Sequence, residues 1–358
     1  MIDFLVIGGG IAGASAAARL SELGSVTLLE REHALAYHAS GRSAAMFEET
    51  YGKPSTIALN RASKEWHLEI NRSCDLPRGL MLLGHEDNKI AFGTDIVSMQ
   101  LRRLTIEEAL EIFPILDPDR VTQVGYHESA WDIDTDAAIQ RFIRHMRSNG
   151  GTVVTRAEVS AIERTKRGWR VSAGEDYEAR QIVNAAGAWA DQIAHMASIA
   201  PLGLQPMRRS IARVAAPSGY DVSRWPLLFG PGENWYAKPD AGALLISPAD
   251  EEPVLPVDAW AVDMVLAEGI ARYEEHVTAP VQRMIANWAG LRTFAPDRCL
   301  VIGASEQDGF WWCAGQGGYG FQTAPAASQL LADLIGGRTS ELDAGAIAAL
   351  SPARFGSD

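Results

Sequence analysis

Residues 4–13 read Phe4-Leu5-Val6-Ile7-Gly8-Gly9-Gly10-Ile11-Ala12-Gly13, and an alanine-rich run follows them. Four consecutive apolar residues fit a parallel strand buried on both faces. The glycines recur as Gly8-x-Gly10-x-x-Gly13, ahead of a helix predicted through Leu23 and closed by Gly24. The three glycines serve different ends. Gly8 turns the chain tightly, Gly10 lets backbone approach a pyrophosphate, and Gly13 lets helix and strand pack closely. The helix start adds free N–H groups and a partial positive charge. Val26-Thr27-Leu28-Leu29 reads as a second strand ending in Glu30, with Arg31 beside it at the nucleotide end. Glu30 is placed to accept from ribose hydroxyls, which opposes the extra phosphate of NADP and leaves NAD or FAD. Strand, glycine turn, helix, strand and acid together spell a βαβ nucleotide-binding unit of a Rossmann-type α/β domain.

Outward from this unit the pattern changes twice. Residues 33–52 look irregular, and helices are predicted over residues 55–72 and 105–113, the latter ended by Pro114. Asp134 is a good N-cap for a helix to Ser148, where Asn149-Gly150-Gly151 supplies the stop. Strand-like pieces cover 152–156 and 159–164, and 181–184 runs into Ala185-Ala186-Gly187-Ala188-Trp189. From Pro201 to about residue 285, prolines and aromatics cluster and short alternating runs predict an antiparallel sheet. The end returns to the first style, with strands at 300–302 and 310–314, a glycine-rich turn, and a helix over 323–335.

At 358 residues the chain exceeds the roughly 250–300 that one core supports. The expected division is a discontinuous nucleotide domain from 1–76, 130–200 and 286–358, with a sheet-rich substrate domain from 77–129 and 201–285. A net charge of −13 opposes nucleic-acid partners, since phosphate binding depends on Lys and Arg. The three cysteines, Cys74, Cys299 and Cys313, form neither a disulfide framework nor a metal pair, and a cytoplasmic location is the expectation. No apolar run reaches the ~18 residues that would span a bilayer.

A flavin dinucleotide is long and needs several distant grips. Residues 183–189 form a second strand-to-small-residue turn, and Gly317-Gly318-Tyr319-Gly320-Phe321-Gln322-Thr323 a third, a nest ahead of the last helix. Either alone reads equally well as a packing turn. Three sites spread from first strand to last helix exceed the needs of a compact NAD domain and favour FAD.

These stretches resemble the D-amino-acid oxidase / glycine oxidase superfamily of flavoenzymes, most closely its bacterial D-arginine dehydrogenase branch. The resemblance runs over nearly the whole chain, through residues 7–15, 37–45, 132–136, 183–189, 201–206, 238–242, 288–292 and 316–323. It implies non-covalent FAD, wrapped at pyrophosphate and flavin edge by Gly41, Arg42, Ser43, Ala44 and Ala45. Val159 would contact the adenine side through its backbone; Ala12, Ala186, Gly187 and Trp189 would complete the nucleotide end. Gly317 to Gln322 would line the flavin, with Thr323 behind. It further implies a substrate carboxylate held by Arg209, Arg292, Tyr51 and Tyr236, and an amine received by the Gly318 carbonyl. Without the family, Arg292 could be a strand-end ion pair and Arg209 a solvated basic spot.

The departures bear on the substrate. Met46 stands where the D-arginine branch has a histidine and Glu48 where it has a threonine; Leu80 replaces its guanidinium-binding glutamate. Leu227 and the bulky Phe229 occupy wall positions. Glu48 reads as a solvated lid residue, with an inward carboxylate as the alternative. The expected reaction is hydride transfer to flavin from a D-amino acid with a neutral or apolar side chain, or alternatively from a secondary amine such as an N-substituted amino acid. The expected electron acceptor is a quinone or dye-like molecule rather than oxygen, because 243–246 is aliphatic where oxygen-using relatives place a lysine.

Overall fold

The computed structural model describes residues 1–70 and 77–356; Arg72 and Cys74 lie outside them. Strand Ile2–Ile7 lies mid-sheet, parallel to Val26–Leu29 on one side and Glu175–Asn184 on the other. Thr152–Val154 extends one edge; Phe310–Ala314 and then Val301–Ala304 extend the other. Alternation along Ile2–Ile7 feeds two cores. Phe4 and Val6 pack with helices Ile11–Leu20, Thr135–Ser148 and Gly320–Gly336. Leu5 and Ile7 pack on the opposite side with Ile162, Trp169 and Ile193. Asp134 caps its helix as expected, accepting from the Ala137 N–H at 2.8 Å. The first helix stops at Leu20 rather than Leu23, and the turn that follows brings Ser25 onto Asp3 (N···Oδ2 2.9 Å).

The second sheet has nine strands. Its order runs Glu252–Pro253, Gln205–Ala215, Ala243–Ser247, Tyr236–Asp240, Leu227–Phe229, Leu80–Gly84, Gln123–His127, Arg102–Leu104, and Met284–Phe294 also pairs with Gln205–Ala215. Its pairings are antiparallel except that of Leu227–Phe229 with Leu80–Gly84, which is parallel. The changeover expected at residue 286 therefore falls inside Met284–Phe294, an 11-residue strand of this sheet. The helices that escaped the sequence pattern include Lys89–Ser98 and Asp263–Glu274. The first buries only Phe92 and Ile96, and the second only Leu266, Gly269 and Tyr273, too few to write an apolar stripe. Met46–Phe47 pairs with Trp131–Asp132 in a short ribbon. Among the described residues, no helix is long and apolar enough to cross a membrane, and no cluster of three metal-ligating side chains occurs.

Candidate functional site

The ends of the first strands open onto a groove of about 290 Å³, walled by Gly8, Gly10, Glu30, Arg31, Val159, Ala186, Gly187 and Trp189 among others. Gly8 has φ +110°, and a Cβ there would sit 2.4 Å from the Ala185 carbonyl oxygen. A Cβ on Gly13 would sit 1.8 Å from the Gly8 oxygen, so this glycine works from behind the wall as a packing contact. Gly10 begins the first helix without a side-chain cap, and a Cβ there would meet only the Ser40 hydroxyl, at 3.1 Å. Ser40 Oγ accepts the Ile11 N–H at 3.0 Å. The Glu30 carboxylate accepts from the Gly9 N–H at 2.7 Å and the Glu32 N–H at 2.8 Å. A carboxylate has about four acceptor positions, so two remain for hydroxyls. The Arg31 guanidinium lies 5.0 Å over the Trp189 ring.

The groove continues into cavities of about 150 Å³ and 130 Å³. Gly10, Ser40 and Gly187 wall both the groove and the middle cavity; Ser43, Ala44, Ala45, Met46, Gly318 and Gln322 wall the middle cavity and the last. Ala12, Gly317 and Gly320 face the middle one. Tyr319, Thr323 and Gly41 stand behind these walls. The Thr323 hydroxyl is buried and donates to the Tyr319 oxygen at 2.8 Å; a Cβ on Gly41 would sit 2.2 Å from the Ala36 oxygen. The nest opens helix Gly320–Gly336, which Pro325 interrupts one turn in. Helix Pro54–Ile70 serves the disturbed backbone: His67 Nε2 donates to the Gln322 oxygen at 3.0 Å, and Ser63 Oγ accepts the Ala326 N–H at 3.1 Å. Burial pushes the His67 pKa down to about 4, so the ring stays neutral.

The last cavity rests on one face of the nine-stranded sheet. Arg209 pairs with Gly290, two residues from Arg292, so both guanidinium groups leave adjacent strands on the same side. Phe229 pairs with Tyr236, Leu227 with Leu80, and Leu80 with His127, which places these side chains on one shared surface. Arg209 is buried and donates to Glu251 Oε1 at 3.0 Å; burial, then the neighbouring Arg292 charge, pull its pKa down. Arg292 makes no ion pair among the described residues and lines both inner cavities. Tyr51 donates to Glu233 Oε2 at 2.8 Å; burial, then the Glu233 charge, raise its pKa, so it remains a phenol.

Glu48 departs from the expected solvated lid residue. It is 8% exposed and faces the last cavity. Burial opposes its charge, but His127 and Thr50 outweigh burial and hold its pKa below the ordinary carboxylate value. One oxygen accepts from the Thr50 N–H (3.0 Å) and hydroxyl (2.7 Å); the other lies 2.9 Å from His127 Nε2. Arg42 borders the groove and the middle cavity, and its guanidinium donates to the Ala259 and Ala289 oxygens, both at 2.9 Å, and to Asp258.

Sequence reasoning missed His127, Glu233, Met99, Trp235 and Asn60. The first four reach the site through sheet register or a loop. Asn60 is buried in helix Pro54–Ile70 and gives its amide to three carbonyls of the substrate loop: Glu48 (3.3 Å), Glu49 (3.2 Å) and Tyr51 (3.0 Å). A buried asparagine inside an amphipathic helix was the available signal. Unsatisfied buried carbonyls cost about 1–3 kcal/mol each, so Asn60→Ala should loosen the loop that presents Tyr51. The expected result is about tenfold weaker binding of a simple carboxylate, read from flavin absorbance, with FAD content unchanged. An unaltered dissociation constant would remove Asn60 from this role.

Residues 3–334 match the sequence family described as DAO, FAD dependent oxidoreductase. A glycerol 3-phosphate dehydrogenase of Caloramator mitchellensis is 26% identical over 94% of this chain and 74% of its own length. The solved L-proline dehydrogenase of P. horikoshii superposes with a TM-score of 0.83 at 22% identity, covering 99% of this chain and 97% of that one. Glycine oxidase of Geobacillus kaustophilus gives 0.83 at 21% identity, with 98% of both chains covered. FAD fits the cleft on its own terms: backbone crowds the glycine cradle where a Cβ would go, Glu30 keeps acceptor positions, and the three cavities run on from one another.

Proposed function

This chain belongs to the DAO family of FAD dependent oxidoreductases, and from that premise we propose that it oxidises an amino acid through the carbon bearing its amine. The substrate we infer is a D-amino acid with a neutral or apolar side chain. One observation carries the reading: Arg292, a cation without an ion pair among the described residues, shares a sheet face and a cavity with Arg209 and Tyr236. Such a face calls for an anion, and arginine's planar fork matches a carboxylate with two parallel bonds. FAD supplies the hydride acceptor. The chain's own contribution is alignment: the arginines and the Tyr236 phenol hold the carboxylate, the Tyr51 phenol joins them on giving up Glu233, the Gly318 carbonyl receives the amine, and the C–H would thereby be turned toward the flavin. A neutral amine lets hydride leave without a protein base, so none is assigned.

The side chain would enter the compartment of Met46, Leu80, Met99, Leu227, Phe229 and Trp235. Glu48 lies there too, with one oxygen held by Thr50 and the other 2.9 Å from His127 Nε2 but without a hydrogen bond; it is the apolar majority of the compartment that argues against D-arginine as preferred substrate. The D configuration rests on the family resemblance. No lysine lines the cleft among the described residues, and Lys238 is held by Asp132 at 2.5 Å. This supports a quinone or dye-like acceptor.

Flavin bleaching without oxygen tests the reading. D-Leu, D-Met or D-Phe should exceed D-Arg and D-Lys by at least about tenfold in kcat/KM, equivalent to about 1.4 kcal/mol of discrimination. A preference for the cationic pair, lost in Glu48→Gln, would overturn the apolar compartment; a preference for N-methyl amino acids would move the assignment to secondary amines. Recolouring by air as fast as turnover would overturn the acceptor assignment.

A further inference from the structure

The roof of the dinucleotide groove comes from the other sheet. Pro256, Val257 and Ala259, in the connection between strand Glu252–Pro253 and helix Asp263–Glu274, wall the groove together with Gly8, Gly10 and Glu30. Packing does little to hold this segment: Leu255 is 82% exposed and Trp260 65% exposed. Among the described residues, positions 255–261 make tertiary hydrogen bonds and ion pairs only at Asp258 and Ala259. Nearly all of these converge on one side chain. Arg42 donates one nitrogen to the Ala259 oxygen and the Ala289 oxygen, both at 2.9 Å, and its other terminal nitrogen to Asp258 Oδ1 at 2.5 Å. The backbone of Arg42 is itself fixed, because Trp288 Nε1 donates to its oxygen at 3.0 Å. Tyr37 lies under the guanidinium at 5.5 Å, and His38 Nδ1 stands 3.8 Å from Asp258.

We propose that residues 256–259 form a clasp over the bound FAD, and that Arg42 locks this clasp through Ala259 and Asp258 instead of binding the pyrophosphate. Asp258 compensates the Arg42 charge, and the carbonyls take donors that a phosphate would otherwise receive. The positive end of the first helix, at Gly10 and Ala12, is left to face the phosphates, the Ile11 N–H being taken by Ser40. Arg42 is thus a positioning residue for cofactor retention.

FAD release from the holoenzyme, followed by the rise in flavin fluorescence after dilution, tests the assignment. Arg42→Ala should release FAD at least tenfold faster than the parent. The deciding variant is Asp258→Arg, at a site whose side chain is 55% exposed and tolerant of change. A clasp held by Arg42 is repelled by a second arginine, so release should accelerate at least threefold. An Arg42 that held phosphate would gain a cationic neighbour at the groove rim, and release would slow or stay unchanged; either result overturns the clasp. In the Arg42→Ala background, Asp258→Arg should add no further acceleration. An equal acceleration there would show that Asp258 acts independently of Arg42, and would overturn the proposal as well.

Discussion

Arg292→Ala should lower kcat/KM for the amino-acid substrate by roughly a hundredfold, with FAD still bound. Removing one arm of a desolvated charge pair typically costs about 2–5 kcal/mol, and about 1.4 kcal/mol is tenfold. Arg292 should lie well inside that range, because it makes no ion pair among the described residues, Glu233 and Glu251 attracting it only from beyond ion-pair distance, and the Gly318 backbone packs against it; a Cβ on Gly318 would lie 3.0 Å from its Nη1. Arg292→Lys keeps the charge but loses the planar fork, so recovery should be partial. Arg209→Ala should cost less, since Arg209 already spends a donor on Glu251, and Glu251 would retain Arg298 at 2.9 Å. Amines without a carboxylate should be poor substrates for the parent and should lose little further in Arg292→Ala. The check is kcat/KM for matched amino acids and decarboxylated amines, with flavin absorbance confirming cofactor content. Parent-like kcat/KM in Arg292→Ala would mean that the substrate's anion is held elsewhere.

Gly13→Val should yield protein nearly devoid of FAD. Even the first carbon of the new side chain would be 1.8 Å from the Gly8 oxygen. Both sides of that contact are backbone, so no rotamer change relieves it, and helix and strand must part where the phosphates are cradled. Gly8→Ala should act in the same direction, since it combines a 2.4 Å approach to the Ala185 oxygen with φ +110°. Gly93→Ala is the matched control. It lies within helix Lys89–Ser98 with nothing within 4 Å of its Cβ position, and should stabilise the protein by about 0.5–1 kcal/mol. The ratio of flavin to protein absorbance, with Tm, separates these outcomes. Full FAD content in Gly13→Val would refute the cradle.

Features decided within a few residues could be read from the chain alone. Gly8, Gly10 and Gly13 stand within one turn and one helix start, and Asp134 caps the helix it precedes, so the nucleotide unit and that helix were legible without partners. The substrate face was not legible. Arg209 and Arg292 meet because Gln205–Ala215 pairs with Met284–Phe294 in one register, and a slip of one residue would turn one of them to the other face. Local propensity cannot set that register; burial of the whole sheet sets it. The family resemblance named both arginines but could not orient Glu48, whose placement depends on His127 across Leu80 and on Gln322 Oε1, which accepts the Glu48 N–H at 3.1 Å. It placed Arg42 in the stretch that wraps pyrophosphate and flavin edge, but could not show that three long-range acceptors at Asp258, Ala259 and Ala289 take up the guanidinium. A charged side chain is directed by whichever partners the fold brings within about 3 Å, and long-range packing sets which partners those are.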